Sequence, residues 1–137
     1  MIDQITVFLP NRPGSLADMS AILGKHDVQV IALMVADSTD FGIVRIIVDK
    51  PQVALDAFAE AGLHAATTKV VAMEIPNVPG GLGSVIRELS SADLSIQYAY
   101  SCSVGGRAVD IVSVSGDPVQ VKLGQFGIPD LRLEDLT

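Results

Sequence analysis

A segment that occurs twice constrains the fold of this chain more than any other feature. Pro10-Asn11-Arg12-Pro13-Gly14-Ser15-Leu16 returns 66 positions later as Pro76-Asn77-Val78-Pro79-Gly80-Gly81-Leu82. The same offset aligns Leu23 with Leu89 and Asp27 with Asp93. Each copy follows a strand-like run and precedes a helix-like run, so the chain is predicted to be one structural unit used twice.

Length and charge narrow the possibilities further. The chain has 137 residues, of which 49% are hydrophobic, and we predict two domains, 1–69 and 70–137, that are each small for an independent core. The net charge of −7, with only nine Lys and Arg residues, disfavours a nucleic-acid partner. The N-terminal residues do not resemble a secretory signal, and no apolar run is long enough for a membrane span. The sequence therefore predicts a soluble, cytoplasmic protein.

The first half alternates strand-like and helix-like runs. Ile5, Val7 and Leu9 alternate with polar neighbours, as in a half-buried strand. After the repeated loop, Leu16, Met19 and Leu23 form one apolar stripe of a helix, with Ser15 and Asp18 resembling a capping box. Two strands, a second helix and a further strand are then predicted, at residues 28–36, 41–48, 51–62 and 63–69.

The second half repeats this order. Val71, Met73 and Ile75 alternate as a strand, and Leu82, Val85 and Leu89 repeat the helix stripe. Gly105-Gly106 predicts a hairpin turn between strands 94–104 and 108–114. A helix from Asp117-Pro118 to Gly127, with Val119, Leu123 and Phe126 inside, and a last strand at 128–136 complete the prediction. Each half is thus β-α-β-β-α-β, an α+β arrangement with helices on one face of an antiparallel sheet.

This order, with Asn-x-Pro-Gly-x-Leu between the first strand and the first helix, resembles the ACT domain. The whole chain is similar to small stand-alone proteins of two ACT units, and Asp40-Phe41-Gly42 and Tyr98-Ala99-Tyr100-Ser101 add to the likeness. The resemblance implies ferredoxin-like units side by side in one eight-stranded sheet. It also implies a regulatory module that binds a free amino acid at an interface between ACT units.

The repeated loop also suits an amino acid on chemical grounds. A first helix turn has unpaired N–H groups and a partial positive charge, so it can hold a carboxylate. Glycine lets a ligand approach the backbone, proline stiffens the turn, and asparagine offers donors and an acceptor to a zwitterion. The candidate ligand-binding residues are Asn11, Arg12, Pro13, Gly14, Ser15, Leu16, Asn77, Val78, Pro79, Gly80, Gly81 and Leu82. Because Val78 replaces Arg12, we expect one tight site and one weak or empty site per chain.

Other chemistry has little support in the sequence. We expect no catalytic residue, no cofactor and no metal site. His26 and His64 lack metal-ligand spacing, and Cys102 falls on the apolar side of its strand, as a buried structural thiol would. Acidic residues at 37 and 40, and at 130, 134 and 135, are interpreted as solvated surface.

Two further expectations concern partners. Ile31, Leu33 and Val35 are assigned to the helix-free face of the second strand, where an apolar patch predicts a homodimer interface. The alternative to an amino-acid sensor is a docking subunit of an amino-acid biosynthetic enzyme that has no ligand of its own. Resemblance to the acetolactate synthase regulatory subunit suggests this alternative.

Overall fold

The computed structural model describes residues 1–37 and 41–137, which form two compact units. The first unit comprises residues 3–68, and the second unit comprises residues 69–137 together with residues 1–2. Residues 38–40, which include the Asp40 part of the Asp40-Phe41-Gly42 motif, lie outside the described residues.

The first unit contains the six elements predicted for it. They are β1 (Ile2–Pro10), α1 (Ser15–Lys25), β2 (Val30–Asp37), β3 (Phe41–Val48), α2 (Pro51–Glu60) and the start of β4 (His64–Ile75). The strand order is β2-β3-β1-β4, and both β1 and β2 pair with β3 in antiparallel fashion. This is the order of a ferredoxin-like unit with its two helices between the strands.

The core of the first unit lies between its helices and one face of the sheet. Alternate residues of β1 and β3 supply the sheet side, and Met19, Leu23, Ala54 and Phe58 supply the helix side. Leu16, predicted to be in the helix stripe, is 40% exposed.

The second unit repeats this architecture with one strand fewer than predicted. The rest of β4, α3 (Gly81–Ser91), β5 (Ser95–Val104), β6 (Arg107–Ser115) and α4 (Val119–Gln125) follow in order. The strands lie in the order β4-β6-β5 and are antiparallel. The β5–β6 turn has positive φ at Gly105 and Gly106, as the hairpin prediction requires.

The prediction of eight strands is wrong for the described residues, which contain six. Two predicted strands, 63–69 and 70–75, are one continuous strand, β4. The predicted last strand at 128–136 is not a strand: its Leu131 N–H donates to the Ala72 carbonyl of β4, and a 3₁₀ helix follows at Leu133–Leu136. Phe126 is 55% exposed, not inside, because it lies just after the end of α4.

Both edge strands carry a bulge at the same point of the repeat. The pairing of β2 with β3 shifts between Val30 and Ala32, and that of β5 with β6 shifts between Ile96 and Tyr98. A bulge inserts one residue and therefore exchanges the two faces beyond it. The two bulges are thus 66 residues apart, so the repeat extends to this irregularity of the sheet.

The bulge overturns the face assigned to Leu33 and Val35. Leu33 lies opposite Ile46 and Val35 opposite Val44, and both partners belong to the core beneath the helices. Directly opposed residues of an antiparallel pair share a face, so Leu33 and Val35 are on the helix-bearing side. They are 47% and 51% exposed. Two of the three residues of the predicted apolar patch are thus exposed, but on the opposite face, and Ile31 lies at the bulge.

Candidate functional site

The two repeated loops have the same backbone geometry where strand passes into helix. Gly14 and Gly80 precede α1 and α3 with φ of 88° and 85°, in the left-handed region that glycine adopts without strain. In each loop a proline carbonyl accepts a hydrogen bond from the backbone N–H two residues later. Arg12 donates to Pro10 at 2.9 Å, and Val78 donates to Pro76 at 2.8 Å. The repeat in sequence is therefore a repeat in structure.

Neither of these helices has a side chain that caps its N-terminus. The predicted capping box of Ser15 and Asp18 is wrong, because Gly14 is the N-cap residue of α1 and makes no side-chain hydrogen bond. The N–H groups of the first turns of α1 and α3 are consequently not satisfied by a capping side chain. Such groups, together with the helix dipole, attract a carboxylate.

The loop of the first unit opens onto a cavity on the helix-bearing side. The cavity has a volume of about 200 Å³ and lies within the first unit. Three polar side chains line it, those of Arg12, Ser15 and Asp18. The rest of the lining is apolar and comes from Leu9, Pro10, Met19, Ile22, Ala61 and Leu63.

Ser15 lines this cavity and has a buried hydroxyl group that lacks a protein partner. The residue is 7% exposed, and its Oγ atom is buried without a hydrogen bond to any described residue. Leaving a buried hydroxyl unpaired costs about 1–3 kcal/mol. An unpaired group of this kind at the edge of a cavity is a feature expected of a binding site.

Arg12 and Asp18 bring opposite charges to the same cavity. Neither takes part in an ion pair with a side chain that the structure describes. The sequence indicated Arg12 and Ser15 as candidates but missed Asp18. The signal was available, since Asp18 lies one helical turn after Ser15 and on the same side of α1 as Met19 and Ile22.

The other predicted residues of the first loop do not line this cavity. Asn11, Pro13, Gly14 and Leu16 are exposed. Asn11 therefore faces solvent next to the cavity, and Gly14 acts through the backbone turn that it allows.

The second loop borders a different, more open groove of about 350 Å³. Asn77 lines it together with Pro76 and Ile75, while Val78, Pro79, Gly80 and Leu82 are exposed outside it. Glu74 and Arg107 supply the charge. Their side chains are 3.5 Å apart, and Arg107 also donates to the Asp135 carbonyl at 2.7 Å. The charged groups of this groove are thus already engaged with protein atoms.

The buried residue of each loop explains why the cavities differ. Ser15 of the first loop corresponds to Gly81 of the second, which is also buried. A Cβ atom at residue 81 would overlap the carbonyl oxygen of Pro76. The second loop is therefore closed against the start of α3, in the place where the first loop accommodates a side chain.

A buried carboxyl group distinguishes the second unit as well. Asp110 is 2% exposed, and it lies opposite Met73 of the helix-side core. Ser101 donates a hydrogen bond of 2.8 Å to its Oδ1 atom. Burial raises the pKa of Asp110, and the Ser101 hydrogen bond opposes this rise. At the equivalent position of the first unit stands the core residue Val44.

The remaining reactive side chains have structural surroundings. The Nδ1 atom of His26 is 2.9 Å from the Ile22 carbonyl at the end of α1, and the His64 ring packs on Phe8 with centroids 5.4 Å apart. Burial, with the charge of Asp110, raises the pKa of the Cys102 thiol and so disfavours the thiolate. Cys102 is half-buried, on the face opposite the helix-side core.

The described part of the chain contains neither a candidate metal cluster nor a candidate membrane-spanning helix. No group of three His, Cys, Asp or Glu residues in it is arranged to hold a metal ion. None of its helices has the length and hydropathy of a membrane-spanning segment.

Comparison with known families and structures gives one family and one fold. The model of the ACT domain pair matches residues 1–120. Protein BT0572 from Bacteroides thetaiotaomicron is 32% identical, with a TM-score of 0.88 over 98% of this chain and 94% of that one. The regulatory subunit of aspartate kinase from Thermus thermophilus is 15% identical, with a TM-score of 0.64 over 91% and 89% of the two chains. No curated protein has significant sequence similarity to the chain.

Proposed function

Because the chain belongs to the ACT domain pair family, we propose that it is a non-catalytic regulatory protein that binds a free amino acid through its Asn-x-Pro-Gly loops. The observation that carries the proposal is the repeated loop geometry, in which two helix N-termini without capping side chains each follow a left-handed glycine. A carboxylate is the ligand group that such a terminus favours. The proposed binding residues are those predicted from the sequence, with Asp18 added.

The regulated process is proposed to be amino-acid metabolism. Proteins with this fold include the regulatory subunits of aspartate kinase from Thermus thermophilus and Thermus flavus, with TM-scores of 0.64 and 0.58. They are 15% and 16% identical to this chain, so they show that the fold can serve as a separate regulatory subunit and do not identify a ligand. The proposal includes a cytoplasmic location, which is consistent with this role.

A thermal-shift screen with the twenty amino acids tests the proposal. A ligand at 100 times its Kd adds about 2.7 kcal/mol to the free energy of unfolding. We expect one chemically related group of amino acids to raise Tm in proportion to the logarithm of its concentration. If none of the twenty raises Tm at millimolar concentration, the sensor function is wrong.

A docking subunit without its own ligand is the second candidate, and one observation favours it. Leu33 and Val35 expose about half of their surface side by side on edge strand β2, a pattern typical of contact surfaces. The same surface serves for the homodimer proposed from the sequence. Docking without ligand predicts no response to any amino acid in the screen, so the same experiment separates the two functions.

A further inference from the structure

We draw no further inference here: the strongest candidate, the outer edge of strand β5 (Ser95–Val104) in the second unit, which lies at the end of the sheet and has neither a charged residue nor a proline, carries nothing because no feature of the described residues shows what covers it.

Discussion

Ser15 and Gly81 occupy the same place in the two loops, yet only Ser15 has room for its side chain. A Cβ atom at residue 81 would overlap the Pro76 carbonyl oxygen, whereas the Ser15 side chain borders a cavity. Residue 81 does not have a positive φ, so glycine is required there for space alone. The two copies of the motif therefore differ physically at a buried position.

This relationship predicts opposite effects of two substitutions. Gly81→Ser should lower the free energy of unfolding by about 1–3 kcal/mol, the range for overpacking a closed site. Ser15→Ala should leave it unchanged or raise it by about 1 kcal/mol without ligand, because the alanine removes an unpaired buried hydroxyl. Urea denaturation would measure both. Equal losses of stability in the two variants would contradict the difference between the loops.

Replacing each loop asparagine tests the loop-site hypothesis directly. A hydrogen bond to a charged ligand group is worth about 1.5–3 kcal/mol, so Asn11→Ala should weaken amino-acid binding by that amount if Asn11 contacts the ligand. Asn77→Ala should affect only the weaker site. Both residues are exposed, so the fold should persist in each variant. Unchanged affinity in both single variants and in the double variant would exclude the asparagines from binding.

Asp110 predicts a pH-dependent stability that Val44 does not give the first unit. Its folded-state pKa is raised above the ordinary value of 3.8, so the native state holds the proton to higher pH than the unfolded state. The free energy of unfolding should therefore fall as pH rises from about 3.8 through the raised pKa, and it should then level off. Urea unfolding of wild type and Asp110→Asn across this range would measure the effect.

The Asp110→Asn variant also tests the sign of the predicted effect of Asp110 on the free energy of unfolding. Asparagine keeps an oxygen that can accept from Ser101 and has no charge to desolvate. The Asp110→Asn variant should thus gain stability over wild type at neutral pH, and the gain should shrink toward pH 3.8. A variant that is less stable than wild type at pH 7, by an amount independent of pH, would show that burial of the carboxylate is not costly.

Leu33 is the test residue for self-association. It is about half exposed, so Leu33→Glu should change stability by less than about 0.5 kcal/mol in an isolated chain. If β2 carries the homodimer contact, the variant should be monomeric in light scattering at concentrations where wild type is a dimer. Asp56→Asn is the matched surface control. A wild-type chain that is monomeric at micromolar concentration without a partner would exclude the homodimer.

Local sequence signals predicted the elements of the fold well and the faces of its edge strands poorly. Period-two alternation correctly assigned Ile5, Val7 and Leu9 to the core, because β1 is regular. The same reasoning failed beyond Ile31, since one inserted residue in β2 exchanges the faces of every side chain after it. The residues that follow Ile31 in the predicted strand are apolar on both faces, so the alternation of polar and apolar residues does not reveal the bulge.

The site was predicted in part for a related reason. The repeated motif identified the loop and hence Arg12 and Ser15. The helical spacing from Ser15 to Asp18 was a usable signal, but the cavity that both residues line also needs Leu63 from a separate element, which the sequence does not place. The sequence shows that Gly81 stands in place of Ser15, but the structural reason requires the position of the Pro76 carbonyl.

Isothermal titration of the wild-type chain with free amino acids tests the central claim most directly. The account predicts saturable binding of one chemically related group of free amino acids, weakened in the Asn11→Ala, Asn77→Ala double variant. No heat of binding from any of the twenty amino acids, with a folded chain at concentrations well above a micromolar Kd, would contradict it.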